Sequence, residues 1–212
     1  MGHIKAVCFD LDDTLIKEIH SVMYLSILND KLDELIEIER EEQERKYDWI
    51  EADYLKAELA RGVPVTRIEE QFDTILKPIK NVSEVMSMLH EQHIKTILIT
   101  AGPIQVAKVA SELWGIDAYD GSLYECENDL FTGRILSHLG DRGKMSALEK
   151  FCLKEGIQPD ECMAIGDGAT DIPLFRYCGT SLGINCGEEV AKEANSVIVT
   201  EDLMDILQYI ES

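Results

Sequence analysis

Ile4-Lys5-Ala6-Val7-Cys8-Phe9-Asp10-Leu11-Asp12-Asp13-Thr14 passes abruptly from apolar to acidic, and the rest of the chain is read outward from it. Ile4 to Phe9 has the length and character of a short buried strand. A strand turns residues i and i+2 to one side, so Asp10 and Asp12 present two carboxylates to one point. Like charges that close need a cation or a shared proton. The pair suits chemistry that brings a nucleophile, a proton donor and a metal ion together. The same residues also suit an acidic strand-to-helix turn, with Asp or Thr as the cap.

Beyond Leu15-Ile16 the character changes. From Ile19 to Arg61 there is neither Gly nor Pro, and apolar residues recur at helical spacing through Leu25, Leu28, Leu32, Leu35 and Ile36. Glu37 to Lys46 is dense in charge, with Glu41/Arg45 and Glu42/Lys46 spaced for i,i+4 pairs, and Tyr47, Ile50, Tyr54, Leu55 and Leu59 resume the stripe. Breaks near Asn29-Asp30 and Asp48 divide the run into several helices, and Thr66-x-x-Glu69 has the spacing of a capping box. From Pro78 the pattern alternates. A helix from Asn81 to His90 leads to a strand over Lys95–Ile99, then to a turn at Thr100-Ala101-Gly102-Pro103 and a helix that stops at Gly115. Leu123 to Leu136 reads as a hairpin, Met145 to Leu153 as a helix and Cys162 to Ile165 as a strand. Such an order predicts an α/β fold: an open parallel, Rossmann-like sheet with helices on both faces. Residues 1–16 and 78–212 would form this α/β core, and 17–77 an all-helical cap inserted after the first strand.

Lys and Arg number 20 against 41 Asp and Glu, a formal charge of −21. Such a surface repels nucleic acid and anionic membrane, and it repels phosphorylated molecules wherever local cations are missing. No apolar run is long enough to span a bilayer. Met1-Gly2-His3-Ile4-Lys5 runs straight into the strand, so no signal peptide is expected there. The six cysteines form no C-x-x-C pair, which fits reduced thiols in a cytoplasmic protein.

Ligands of open parallel sheets bind beyond the carboxyl ends of the strands. Three strands end suggestively: at Asp10 and Asp12, at Thr100, and at Gly166-Asp167-Gly168. Carboxylates from two strand ends make a hard oxygen site that suits Mg²⁺ better than zinc. Asp171 either caps the next helix or reaches the metal. Lys144, at a helix start after a polar turn, is the candidate cation, although its position also fits an ordinary surface lysine. Thr100 offers a hydroxyl, and Ala101 and Gly102 offer N–H groups where an oxyanion is favoured.

Asp10-x-Asp12-x-Thr14, Thr100, Lys144 and Gly166-Asp167-Gly168-x-x-Asp171 resemble, in order, the four motifs of the haloacid dehalogenase superfamily. The insertion after the first motif, the fourth motif and the hairpin around Phe131-Thr132-Gly133 resemble its phosphoserine phosphatase branch. The resemblance implies a Mg²⁺-dependent phosphatase. Asp10 would attack phosphorus to form an aspartyl phosphate. Asp12 would protonate the leaving alcohol and then deprotonate water. Asp10, the Asp12 carbonyl, Asp167 and Asp171 would hold the metal, and Thr100, Ala101, Gly102 and Lys144 the phosphoryl oxygens. The expected partner is a small phosphate ester, with no nucleic acid and no membrane. A phosphotransferase that passes the group to an alcohol, and a phospho-accepting module without turnover, are the alternatives.

The chain also departs from that branch. It has Thr100-Ala101-Gly102 where Ser-Gly-Gly is usual, and Thr170 where Asn is usual. The branch places a glutamate, which recognises the substrate amine, nine residues after the nucleophile. Here that position is Ile19, beside Glu18. The arginine that grips the substrate carboxylate aligns with Tyr54, and the nearest cation is Lys56. Glu18, Tyr54 and Lys56 are therefore the specificity candidates.

Overall fold

The computed structural model describes residues 3–210, the side chains of 141 and 142 excepted. Met1 and Gly2, the start of the segment expected to run straight into the first strand, lie outside the described residues. In order, the elements begin with β1 (Ala6–Phe9), β2 (Ile16–Lys17), α1 (Ser21–Leu28), α2 (Leu32–Gln43), α3 (Trp49–Glu58), α4 (Thr66–Ile75) and β3 (Lys77–Pro78). Next come α5 (Val82–Glu91), β4 (Lys95–Pro103), α6 (Ile104–Trp114), β5 (Ala118–Glu127), β6 (Leu130–Ser137), α7 (Leu139–Arg142) and α8 (Lys144–Glu155). β7 (Cys162–Gly166), α9 (Ile172–Tyr177), β8 (Thr180–Ile184), α10 (Glu188–Ala191), β9 (Ser196–Ile198) and α11 (Leu207–Ile210) follow.

Seven strands form one sheet in the order β6-β5-β4-β1-β7-β8-β9, parallel except where β5 and β6 pair antiparallel. β1 lies inside it, with Ala6 opposite Lys95 on one side and Cys162 on the other. A strand covered on both faces has no polar side, which is why Ala6 to Phe9 is apolar throughout. Ala6 and Cys8 turn to a core with Leu148, Phe151 and Leu174 from α8 and α9. Val7 and Phe9 turn to the opposite core, with Met86 and Leu89 of α5 and Ala107 and Ala110 of α6. This is the expected Rossmann-like α/β fold. No helix among the described residues is long and apolar enough to cross a membrane.

α1 to α4 occupy the stretch between β2 and β3, a short antiparallel ladder pairing Ile16 with Pro78 and Lys17 with Lys77. Their apolar side chains are continuous with the sheet's core. Tyr24 packs edge-on to Phe72 of α4, which packs on Trp114 of α6 at 5.6 Å. The loop between α3 and α4 is also tied to the β5–β6 hairpin. The Gly62 and Val65 N–H groups donate to the Phe131 and Asp129 carbonyls, and Phe131 N–H donates back to Val63.

Several local expectations change. Asp48 does cap α3, in a reciprocal capping box with Glu51. Thr66 does not cap α4: Val65 is already helical, so Thr66 falls within the first turn. Asn81 adopts a left-handed conformation and spends its amide on the Asp202 carboxylate. Pro103 ends β4 and precedes α6 instead of opening it. α2 stops at Gln43 and Arg45 has a φ of 61°, so the expected i,i+4 pairs do not form. Glu41 pairs with Lys46, and Glu42 with Lys56. Tyr54 and Leu55 of α3 are exposed, while its Ala52 and Ala57 are buried, so the expected apolar stripe is not the face that packs. At the hairpin, Asn128 and Asp129 both have positive φ, as a two-residue type I′ turn requires. All six cysteines are free, four of them buried.

Candidate active site

The carboxyl ends of β4, β1 and β7 are neighbours, so Thr100, Asp10 and Asp167 converge although the sequence separates them widely. Lys144, the first residue of α8, is buried beneath them. Its ammonium lies 2.7 Å from Asp10 Oδ1 and 2.7 Å from Asp171 Oδ1. Burial works against the lysine's charge, but the two carboxylates hold its pKa above the usual lysine range. Asp171 also accepts the Gly168 N–H, and Thr14 donates to Asp167. Gly166 is required by space: a Cβ there would lie 2.3 Å from Asp171 Oδ2.

Carboxylate oxygens of Asp10, Asp167 and Asp171 lie within 4.8 Å of one another. Burial, then repulsion by Asp171, pushes the Asp10 carboxyl well above the usual carboxylate range. The same two causes push Asp167 up to about 6. Three carboxylates around one ammonium leave an excess of negative charge, the condition that a divalent cation relieves. All the donors are hard oxygens, so the residues fit a metal ion of that class.

Asp12 stands apart from this cluster. Its Oδ1 accepts the Ser21 N–H at 2.6 Å and its Oδ2 the Ser21 hydroxyl at 2.7 Å, with Thr100 Oγ1 at 3.3 Å. Burial raises the Asp12 pKa, and the bonds from Ser21 oppose that rise. Ser21 is the first residue of α1, so Asp12 holds the start of the helical segment. Gly102 serves this junction. A Cβ there would fall 2.1 Å from Ser21 Oγ, and its N–H donates to Thr100 Oγ1.

A cavity of about 440 Å³ opens over these groups. Asp10, Asp12, Thr100, Gly102, Lys144 and Asp167 line one end, with Ala101 beside them. Val22, Met23, Glu39, Trp49, Asp53 and Lys56, from α1 to α3, line the other. Of the specificity candidates, only Lys56 reaches the cavity. Glu18 is exposed, kinked to a φ of 67°, and paired with Lys77. Tyr54 leans on His138 with ring centroids 5.7 Å apart and is also exposed. Sequence reasoning missed His20, Ser21, Glu39, Trp49 and Asp53. His20 ion-pairs with Asp13 at 3.0 Å, and that hydrogen bond raises its pKa to about 9. Only Ser21 carried a local signal, as a hydroxyl residue at the start of a helical pattern.

The model of the haloacid dehalogenase-like hydrolases matches residues 4–179, and the chain belongs to that family. Within it, the chain falls in the phosphoserine phosphatase-like branch. It is 27% identical over 203 residues to a phosphoserine phosphatase of Archaeoglobus fulgidus, and 26% over 206 residues to that of Saccharomyces cerevisiae. Those alignments cover 95% and 96% of this chain but 58% and 66% of the relatives. The phosphoserine phosphatase of Methanocaldococcus jannaschii is 26% identical, with 98% of each chain covered. A solved substrate-bound phosphoserine phosphatase shares the fold with a TM-score of 0.83, at 21% identity, over 99% of this chain and all of that one.

Proposed function

We propose that the protein is a cytoplasmic, Mg²⁺-dependent hydrolase of small phosphate monoesters, working through an aspartyl phosphate on Asp10. The observation that carries this reading is the convergence of Asp10, Lys144 and Asp167 at the floor of one cavity, with Asp171 buried against Lys144 and Asp12 beside them. Phosphoryl transfer asks mainly for positioning and charge neutralisation, and this floor is suited to both. Lys144 grips Asp10 Oδ1, orients the attacking carboxylate and faces the oxygens of an incoming phosphoryl group. Asp10, Asp167 and Asp171 would hold Mg²⁺, which when bound supplies charge neutralisation for the transferring group. Asp12, with its raised pKa, delivers a proton to the leaving alcohol and then takes one from the water that clears Asp10. Residues 17–77 act in this reading as the cap whose helices limit the site to small esters.

The test is release of phosphate from an aryl phosphate with and without Mg²⁺, together with acid-quench trapping of labelled protein. Turnover should need the metal, and label should be lost in Asp10→Asn. Undiminished turnover after exhaustive chelation would overturn the metal requirement, and a labelled Asp10→Asn protein would overturn the nucleophile.

A further inference from the structure

The wall opposite the phosphoryl end of the cavity decides what the rest of the substrate is. Apart from Lys144, the cationic side chains lining the cavity are Lys56 and His20, and both are already engaged. Lys56 is only 11% exposed, with its ammonium 2.8 Å from Glu42 and 3.6 Å from Asp53. Asp53 is itself fixed by the buried His138. The His138 Nδ1 accepts the Gly140 N–H, so the ring proton sits on Nε2 and is donated to Asp53 at 3.0 Å. His20 is committed to Asp13. The Glu39 side chain, by contrast, has no ion pair or hydrogen bond among the described residues, although its charge is near enough to favour the protonated form of His20.

We propose that this cavity selects the phosphate ester of a small amino alcohol that carries no carboxylate, recognised through Glu39 and Trp49. The proposal rests on the hydrolase reading and goes further, to the class of alcohol. A substrate ammonium finds the Glu39 carboxylate without a hydrogen-bond partner, with His20, itself bonded to Asp13, as a nearby cation. It also finds the indole of Trp49 in the same wall, and aromatic faces attract cations. A substrate carboxylate finds the opposite. It meets Glu39 and Asp53 as like charges, and it wins Lys56 only by parting it from Glu42. An amino-alcohol ester also carries one negative charge fewer than its amino-acid counterpart, which favours its approach to a chain of net charge −21. At about 440 Å³ the cavity lies in the lower range for small-molecule sites.

The test compares kcat/KM for phosphoethanolamine, phosphoserine and glycerol phosphate in the Mg²⁺-loaded protein. Phosphoethanolamine should lead each of the others by about tenfold or more, the span of one hydrogen bond to a charged group. Glu39→Gln should erase its lead over glycerol phosphate. Glu42→Gln, by releasing Lys56, should move the ratio toward phosphoserine. Calorimetric binding of the same esters to Asp10→Asn reads the preference without turnover, so it stands even if no ester is hydrolysed. Absence of all hydrolysis, aryl phosphate included, would defeat the hydrolase reading alone. Tighter binding or faster turnover of phosphoserine, or ratios unmoved by both variants, would overturn the proposal.

Discussion

Asp10 and Asp12 stand two residues apart yet keep different company: Lys144 for one, Ser21 and Thr100 for the other. They should therefore fail differently. On the proposed mechanism Asp10→Asn removes the nucleophile, so turnover and covalent phosphate should vanish together. Asp12→Asn leaves the attacking carboxylate, so activity should fall by about 10²–10⁴-fold while the residual phosphoenzyme lives longer. Rapid-quench kinetics distinguishes these outcomes. Ser21→Ala removes a donor that favours the charged form of Asp12. The limb of the pH–rate profile that reports Asp12 should move to higher pH, with kcat down about tenfold. A lowered rate with an unmoved profile would make Ser21 merely structural. His20 gives a prediction about stability. Its pKa is raised in the folded state, from an ordinary 6.5 to about 9, by the hydrogen bond to Asp13. The stabilisation is thus complete below about pH 6.5 and is lost as pH rises through 9. Both side chains are half-exposed, so solvent screening holds it under about 1 kcal/mol. Urea unfolding should show a gap between the wild type and His20→Gln at pH 6 that closes at pH 10.

The junction between the end of β4 and the start of α1 is where elements, not single residues, make the site. Gly102→Ala pushes a methyl group into Ser21 Oγ and should cost about tenfold more activity than Ser21→Ala alone. The double variant lacks the clashing oxygen, so it should recover most of that excess. Strict additivity in the cycle would show that the two residues do not meet. The same junction explains what could be read in the chain beforehand. Asp10 and Asp167 were legible because each directly follows a strand, and Lys144 because it starts a helix. Those boundaries follow from local patterns of apolar residues, Gly and Pro. The same patterns put Thr100 just after a strand, and it lies instead within the last residues of β4, which continues to Pro103. The far wall, Lys56 apart, was not legible. Counting from Asp10 to a specificity residue assumes an unbroken backbone, and Glu18 kinks to a positive φ that turns its side chain outward. Glu39 and Asp53 lie on α2 and α3, and which faces of those helices meet the cavity depends on tertiary packing. The bond from Asp53 to His138 joins residues 85 positions apart, and no spacing rule anticipates it. The capping box expected at Thr66 failed for a related reason, since the pairing of Val65 with the hairpin had already set the helix start.

For the whole molecule, the helical segment is not a detachable ornament. Phe72, fully buried between Tyr24 and Trp114, joins it to the sheet, and Phe72→Ala should cost about 3–5 kcal/mol in chemical denaturation. A change confined to α4, with the sheet's own unfolding midpoint untouched, would contradict that continuity. A last consequence follows from the place of β1. A ribosome releases this strand well before its partners β4 and β7, which end at Pro103 and Gly166. At about 5–20 residues per second, the strand that leads to Asp10 waits roughly ten seconds or more before both its edges can be paired. It is short and apolar, and until β7 is made the edge that β7 will cover is open to any neighbouring chain. A chain cut after Glu155 keeps β4 but never acquires β7, so that edge of β1 stays open permanently. It should pellet instead of staying dispersed, and sedimentation of the fragment against the intact protein measures this directly. The strand that leads to the proposed nucleophile is thus also a liability of the nascent protein, covered only once the chain beyond it has been made.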